Sequence, residues 1–91
     1  MAKESNLEKR CRLLVEKQRG KLLKWLSPGA KGVPDRILIL RGWIVFVEFK
    51  APGGRDQPLQ AWWLKWLRSR GHYVWRIEDY DQFKHYMETL Q

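Results

Sequence analysis

The segment Pro34–Lys50, PDRILILRGWIVFVEFK, decides the fold of this chain. It contains two apolar stretches rich in β-branched residues, Arg36–Leu40 and Trp43–Lys50, which is the pattern typical of strands. The dipeptide Arg41-Gly42 separates them, and its glycine suits a two-residue turn. The segment therefore predicts an antiparallel hairpin.

This hairpin would bring two acidic residues together at its open end. Counting back from the turn places Asp35 opposite Glu48, and opposed residues in a hairpin have Cβ atoms about 5 Å apart. Two carboxylates at that distance repel each other unless one is protonated or a cation lies between them. Carboxylate oxygens are the ligands that Mg²⁺ and Mn²⁺ prefer. We therefore expect Asp35 and Glu48 to hold Mg²⁺ or Mn²⁺, with the backbone carbonyl of Phe49 as a further ligand.

Lys50 follows Glu48 by two positions, so both side chains point to the same face of the strand. Its ammonium could stabilise a developing phosphorane or orient an attacking water. A carboxylate–lysine pair at a strand end is also typical of a solvated salt bridge that contributes little, and Pro-Asp is common turn chemistry. The joint placement of Asp35, Glu48 and Lys50 across one hairpin favours a metal-dependent site.

The other elements predict an α/β fold with the order α-β-β-β-α-β-α. The strand–helix–strand unit that begins at Trp43 should be parallel with a right-handed crossover, which gives a mixed sheet flanked by helices. The predicted elements outside the hairpin are a helix over about 4–19, a strand over Lys21–Leu26, a helix over about 58–70, a strand over Tyr73–Ile77, and a last helix capped by Asp79 with Gln82 in the capping-box position.

Length and composition indicate one small folded domain over residues 1–91, since 91 residues suffice for a single core. Hydrophobic residues make up 44% of the chain, but the longest apolar run, Trp43–Val47, is too short to span a membrane. The N-terminus has no signal-peptide pattern, and a single cysteine, Cys11, fits a reducing compartment. We expect an intracellular, cytoplasmic protein that does not enter membranes.

The net charge of +8 and the pI of about 10.0 suggest a polyanionic partner, and nucleic acid is the commonest one. The basic residues are spread along the chain rather than gathered in a tail. This distribution predicts a folded basic surface. A merely solubilising surface charge is the alternative interpretation.

Three motifs follow one another at tight spacing: G-V-P-D at Gly32–Asp35, E-F-K-A-P-G-G at Glu48–Gly54, and P-L-Q at Pro58–Gln60. Together they resemble the PD-(D/E)XK nuclease superfamily, and in particular its VRR-NUC branch, which includes small stand-alone phage proteins. The resemblance covers nearly the whole chain and implies a restriction-endonuclease-like core. It also implies a place of action in a phage-infected bacterial host.

The resemblance implies a role for individual residues. Asp35 and Glu48 would be metal ligands, and Lys50 the catalytic lysine. The first helix would supply an acidic residue, here Glu8, and Gln60 would act at the start of the tryptophan-rich helix. Helical spacing places Glu8 on the edge of the apolar face, but Glu4 lies on that face one turn earlier and is a rival.

Other features of the sequence each allow two interpretations. Lys31 and Arg55 lie in loops that flank the predicted site, where they could contact DNA phosphates or remain solvated. Trp62, Trp63 and Trp66 could stack on bases, but their helical spacing favours a core or an interface. Six tryptophans are more apolar surface than so small a core easily absorbs, which predicts a homodimer.

Cysteine and histidine residues give no sign of another catalytic centre. Cys11 has apolar helical neighbours and no adjacent base, so we interpret it as a core residue. His72 and His85 are not part of a Cys/His cluster of the kind that binds zinc, and we expect both at the surface or in caps.

The sequence therefore predicts a metal-dependent DNA endonuclease that is selective for DNA structure and resolves four-way (Holliday) junctions as a dimer. A nickase or flap endonuclease is the nearest alternative. A non-catalytic nucleic-acid-binding module of the same fold is an alternative of another class, as is a toxin-like or structural protein. The close placement of two carboxylates argues against a simple binder, because a carboxylate repels phosphate.

Overall fold

The computed structural model describes residues 4–90, and in that part of the chain three helices flank one four-stranded sheet. The sheet has the order β1-β2-β3-β4. In chain order the elements are α1 (Asn6–Lys17), β1 (Lys21–Lys24), β2 (Arg36–Leu40), β3 (Trp43–Phe49), α2 (Pro58–Ser69), β4 (Tyr73–Ile77) and α3 (Tyr80–Glu88).

The central hairpin has the predicted register. Leu40 lies opposite Trp43, and the ladder continues to Arg36 opposite Val47. The turn residue Arg41 has φ 47° and Gly42 has φ 83°. Positive φ at both central residues is what a type I′ turn requires, and this turn matches the twist of the two strands it joins.

The sheet is mixed, as the sequence predicts. The strand β2 pairs antiparallel with both β1 and β3, whereas β4 pairs parallel with β3. A parallel pair needs a long crossover connection, and α2 lies within it. This arrangement places the end of β3, the loop after it and the first turn of α2 at one edge of the sheet.

Helices cover the two faces of the sheet unequally. The helices α1 and α3 cover one face, where Leu38, Val47 and Phe83 are fully buried. The helix α2 packs on the other face through Leu64 and Leu67. On that second face Leu23, Ile39 and Ile44, from three neighbouring strands, remain 42–55% exposed.

Three of the predicted elements extend further than the observed ones. The first helix begins at Asn6 rather than near residue 4, because Ser5 accepts a hydrogen bond from the Glu8 amide and caps it. The strand β1 ends at Lys24 rather than Leu26, where the chain leaves the sheet for a loop. The strand β3 ends one residue before Lys50.

The cap of the last helix differs in one detail from the capping box that the sequence suggests. Asp79 accepts a hydrogen bond from the Gln82 amide, as expected of an N-cap. The side-chain oxygen of Gln82, however, accepts from the Glu78 amide at 2.7 Å rather than from the Asp79 amide. Gln82 therefore fastens the end of β4 to the helix instead of closing a capping box.

Cys11 is fully buried in the core, and burial raises the pKa of its thiol to about 12. Such a thiol is a poor nucleophile because the thiolate form is scarce at neutral pH. His72 and His85 are both exposed. Across residues 4–90, no helix is both long and apolar enough to cross a membrane.

Candidate active site

The open end of the central hairpin brings Asp35 and Glu48 together through reciprocal hydrogen bonds. The Asp35 amide donates to Oε1 of Glu48 at 3.2 Å, and the Phe49 amide donates to Oδ2 of Asp35 at 2.9 Å. Each carboxylate is therefore fixed by the backbone of the opposite strand. The hairpin register that the sequence predicts thus extends one step beyond the paired residues.

The two carboxyl groups lie in unequal surroundings. Glu48 is only 1% exposed, and burial together with the negative charge of Asp35 raises its pKa to about 7, although Lys50 opposes the rise. Asp35 is open to solvent, yet the protein around its carboxyl also raises its pKa, and the charge of Glu8 adds to this effect. Both carboxyl groups therefore resist ionisation, and a bound cation would stabilise their ionised forms.

Lys50 lies beside this pair, as the strand period predicts. Its Nζ is 3.4 Å from Oε2 of Glu48 and 3.9 Å from Oδ1 of Asp56. Nζ also donates a hydrogen bond of 2.6 Å to Oε1 of Gln60. The ammonium is therefore held at a defined place next to the carboxylates of Glu48 and Asp56.

Gln60 links α2 to the end of the sheet. It occupies the first turn of the helix, and its Oε1 accepts from the Gln57 amide at 2.9 Å as well as from Lys50. One side-chain oxygen thus fixes the start of the helix and the position of the lysine. The structure therefore places Gln60 in the first turn of the tryptophan-rich helix and in contact with Lys50.

Glu8 in the first helix and Glu4 just before that helix reach the same edge of the sheet, where both bind Arg36. Oε1 of Glu8 accepts from Nε of Arg36 at 3.2 Å, and Oε2 of Glu4 accepts from Nη2 at 3.1 Å. Glu4 is also paired with Arg12 at 2.9 Å, and this hydrogen bond lowers the Glu4 pKa. Burial is the main cause of the raised pKa of Asp35, and of the two glutamates it is the charge of Glu8 that adds to it, so Glu8 is the better placed of the two.

Arg36 was missed as a site residue, although the sequence contains a signal for it. It shares the inward face of β2 with Leu38 and Leu40, so strand alternation alone buries it. It is 3% exposed and also donates to the Leu22 carbonyl at 3.3 Å. A buried guanidinium needs carboxylate partners, and these are Glu8 of the first helix and Glu4 just before it.

Asp56 and Arg76 were also missed. Nε of Arg76 lies 3.0 Å from Oδ2 of Asp56, and its Nη2 donates to the Gly54 carbonyl at 2.6 Å. Arg76 lies beside Glu48 in the register of β3 and β4. The guanidinium therefore fastens the loop between β3 and α2 to the sheet, next to Lys50.

A groove of about 680 Å³ opens over this edge of the sheet, with Glu8, Asp35, Phe49 and Lys50 in its wall. Within residues 4–90, no three Asp, Glu, His or Cys side chains converge as a ready metal cage. Mg²⁺ is typically held by only one or two carboxylates, with water and substrate phosphate as the other ligands. Asp35 and Glu48 fit that mode of binding, and the carbonyl of Phe49 remains a predicted ligand.

The two predicted DNA contacts lie in loops on either side of the site. Lys31 and Arg55 both have exposed side chains. The carbonyl of Lys31 accepts a hydrogen bond from Nε1 of Trp63 at 3.0 Å, which ties its loop to α2. Both cations therefore remain available to a ligand.

The tryptophan run is divided between core and surface. Trp63 packs against Trp25, with ring centroids 6.4 Å apart, beside the smaller apolar cluster under α2. Trp62 and Trp66 instead lie largely at the surface of this chain. Of the predicted core or interface positions, Trp63 contacts the core, whereas Trp62 and Trp66 are exposed in the single chain and an interface role for them stays a prediction.

Comparison with known proteins gives two clear similarities. A protein named "Putative nuclease p44" from Acyrthosiphon pisum secondary endosymbiont phage 1 is 39% identical over 82 residues, which cover 89% of this chain and 88% of that protein. A solved structure described as a VRR_NUC domain matches over 100% of both chains, with a TM-score of 0.87 and 29% identity. No model of a protein family matches the chain.

Proposed function

Because this chain belongs to the VRR-NUC family of nuclease domains, we propose that it is a divalent-metal-dependent endonuclease acting on branched DNA. The observation that carries the proposal is the opposed pair Asp35 and Glu48, with the Lys50 ammonium 3.4 Å from the second carboxylate. The net charge of +8 supports a nucleic acid as the substrate. The phage source of its relative supports a role in an infected bacterial cell.

Asp35 and Glu48 would hold Mg²⁺ or Mn²⁺, together with the carbonyl of Phe49. A bound divalent ion would supply a more acidic water and would neutralise charge on the scissile phosphate. The raised pKa values of both carboxyls support this assignment, because burial is the main cause of both shifts and a bound cation would offset the cost of two buried negative charges.

Lys50 would act on the phosphate and the attacking water. Its three N–H groups point from a position fixed by Glu48 and Gln60, so the positive charge is in place before the substrate arrives. A preorganised cation stabilises the negative charge that develops on the phosphoryl oxygens. Gln60 acts here as a positioning residue for Lys50.

Glu8 would complete the acidic edge of the site from the first helix. Its Oε1 is bound by Arg36, which keeps the carboxylate directed toward the sheet. Lys31 and Arg55 would contact phosphates on either side of the cleavage point. These roles require no base-reading side chain, so recognition would depend on DNA shape.

We also propose a homodimer, in which two sites could cut two strands of a four-way junction. The support is the exposed apolar patch formed by Leu23, Ile39 and Ile44 on neighbouring strands of the sheet. A contiguous exposed apolar patch marks an interaction surface. A two-fold dimer would present two identical sites to a substrate with matching symmetry.

Incubation with a four-way junction, a linear duplex and a single strand tests the proposed activity. We expect cleavage of the junction with Mg²⁺ or Mn²⁺, weaker cleavage of the linear duplex, and none in EDTA. Product lengths on a denaturing gel report where each strand is cut. Tight binding without cutting under all metal conditions would instead identify a non-catalytic DNA-binding module.

Mass measurement by light scattering at micromolar concentration tests the dimer. We expect the mass of two chains, and the mass of one chain for Ile44→Lys, because a charge in the patch would have to be buried on association. Leu13→Lys is the matched control, since Leu13 is 50% exposed on α1, away from the sheet patch. A wild-type protein with the mass of a single chain would remove the dimer from the proposal.

A further inference from the structure

A second groove lies beside the candidate active site and has an unusual composition. It runs between the loop before β2 and the first turns of α2, and it has a volume of about 560 Å³. We call it the tryptophan groove. Its lining residues are Ala30, Lys31, Pro58, Leu59, Trp62 and Trp63.

The groove exposes a flat aromatic surface to solvent. Trp62 is 52% exposed and lies almost parallel to Trp66, at an angle of 14° and a centroid distance of 6.1 Å. Its neighbour Trp63 packs inward, and the indole N–H of Trp63 donates a hydrogen bond to the Lys31 carbonyl. Exposed apolar surface of this kind forgoes the free energy that burial would supply, which points to a ligand that covers it.

The loop beside the groove packs against the helical turn that carries Gln60. Gly32 has φ 84°, and a Cβ at this position would lie 2.9 Å from Cγ of Leu59 and 3.1 Å from the Gln60 nitrogen. The loop is therefore pressed against the helical turn whose Gln60 binds Lys50. Because Pro58 and Leu59 line the groove and Gln60 follows them in the same helical turn, a polymer that passes over Lys50 could continue into the tryptophan groove.

Charge indicates which kind of ligand fits. No Asp or Glu occurs in residues 27–34 or in residues 58–71, whereas these segments contain Lys31, Lys65, Arg68 and Arg70. Aromatic rings among cations, with no carboxylates, are typical of surfaces that bind unpaired nucleotides. The same groove of a second copy would bring the same four cations to face these and no carboxylate from these segments, which disfavours a two-fold contact through this groove.

We propose that the tryptophan groove binds an unpaired nucleobase of the DNA substrate, adjacent to the phosphate that is cut. The base stacks on the exposed indole of Trp62, and the Lys31 ammonium contacts the neighbouring phosphate. The proposal rests on the proposed function, since it deepens that function by naming the feature of branched DNA that is recognised. Stacking on an indole accepts any base, so it would select structure and not sequence.

The test uses the whole protein in EDTA, so that binding is measured without cleavage. The probes are a branched DNA with one unpaired 5-iodouracil next to the branch and a matched branched DNA in which that base is paired. We expect the wild type to prefer the first probe, and ultraviolet light to cross-link the iodouracil to a peptide that contains Trp62. Trp62→Ala should lower affinity for that probe about tenfold, and Trp62→Phe should retain most of it.

Tyr73→Ala is the matched control, because Tyr73 is an aromatic residue that is 54% exposed. It begins β4, at the end of that strand away from Glu48. The substitution should leave the preference for the unpaired base unchanged. Equal affinities of wild type and Trp62→Ala for the unpaired probe, or a cross-link to another peptide, would overturn the proposal. So would a Trp62→Ala protein that has lost a dimer, since the groove would then be a protein interface.

The two proposals can fail separately. If the groove proposal is correct but the nuclease assignment is not, the cross-link to Trp62 appears and no metal supports cleavage. If the nuclease assignment alone is correct, metal-dependent cleavage is observed and Trp62→Ala binds the unpaired probe as the wild type does. Normal circular dichroism spectra of Trp62→Ala and Trp62→Phe ensure that lost binding does not reflect lost folding.

Discussion

Lys50→Met should lower the rate of metal-dependent DNA cleavage by about 10²–10³-fold, the loss expected when one preorganised charge is removed from a transition state. The methionine retains most of the side-chain volume but cannot donate to Gln60 or oppose the charge of Glu48. Binding should change much less, because one cation among many contributes little to the affinity for DNA. Single-turnover cleavage of the four-way junction and an affinity measurement in EDTA give the two quantities.

Lys84→Met is the matched control for this experiment. Lys84 is an exposed lysine on α3, so its replacement removes the same charge far from the acidic pair. Its cleavage rate should stay close to that of the wild type. If Lys50→Met cuts as fast as Lys84→Met, the assignment of Lys50 as a catalytic residue is wrong.

Glu48→Gln should stabilise the metal-free protein by about 2–3 kcal/mol near pH 8 and have little effect near pH 5. The folded-state pKa of Glu48 is raised from an ordinary 4.5 to about 7, so the folded protein binds more protons than the unfolded chain between these values. The contribution of Glu48 to the free energy of unfolding is therefore fully present below about pH 4.5 and is lost as the pH rises through 7. Glutamine avoids this cost because it remains neutral while keeping an oxygen for the Asp35 amide.

Urea unfolding of both proteins in EDTA at the two pH values measures this difference. Glu88→Gln, at an exposed position on α3, is the matched control and should show no such pH dependence. A Glu48→Gln protein that is less stable than the wild type at the higher pH would contradict the prediction. Added Mg²⁺ should raise the stability of the wild type at that pH, and should have a smaller effect on Glu48→Gln.

The hairpin and the acidic pair were predictable because both follow from local rules. A glycine at a two-residue turn fixes the register, and register then fixes which side chains face each other. That reasoning placed Asp35 opposite Glu48, and the reciprocal hydrogen bonds agree with it. The contact of Lys50 with Glu48 follows from the strand period in the same way.

Contacts between distant segments could not be derived from such rules. Arg76 meets Asp56 across 20 positions of sequence, and no periodicity within either segment indicates the partner. The choice between Glu4 and Glu8 depends on how α1 lies over Arg36, which is a matter of tertiary packing. The exposure of Trp62 likewise depends on how little of the sheet α2 covers.

The crossed hydrogen bonds at the end of the hairpin have a further consequence. Since the carboxylate of Asp35 is held by the Phe49 amide and that of Glu48 by the Asp35 amide, each acid must break a hydrogen bond to the opposite strand before it can swing away. Both side chains bridge the two strands beyond the last backbone pair, so thermal fraying that would misalign them must first break these hydrogen bonds. The proposed chemistry would therefore depend on the contacts between the strands at this end of the hairpin, and partial loosening there should extinguish turnover before the helices melt.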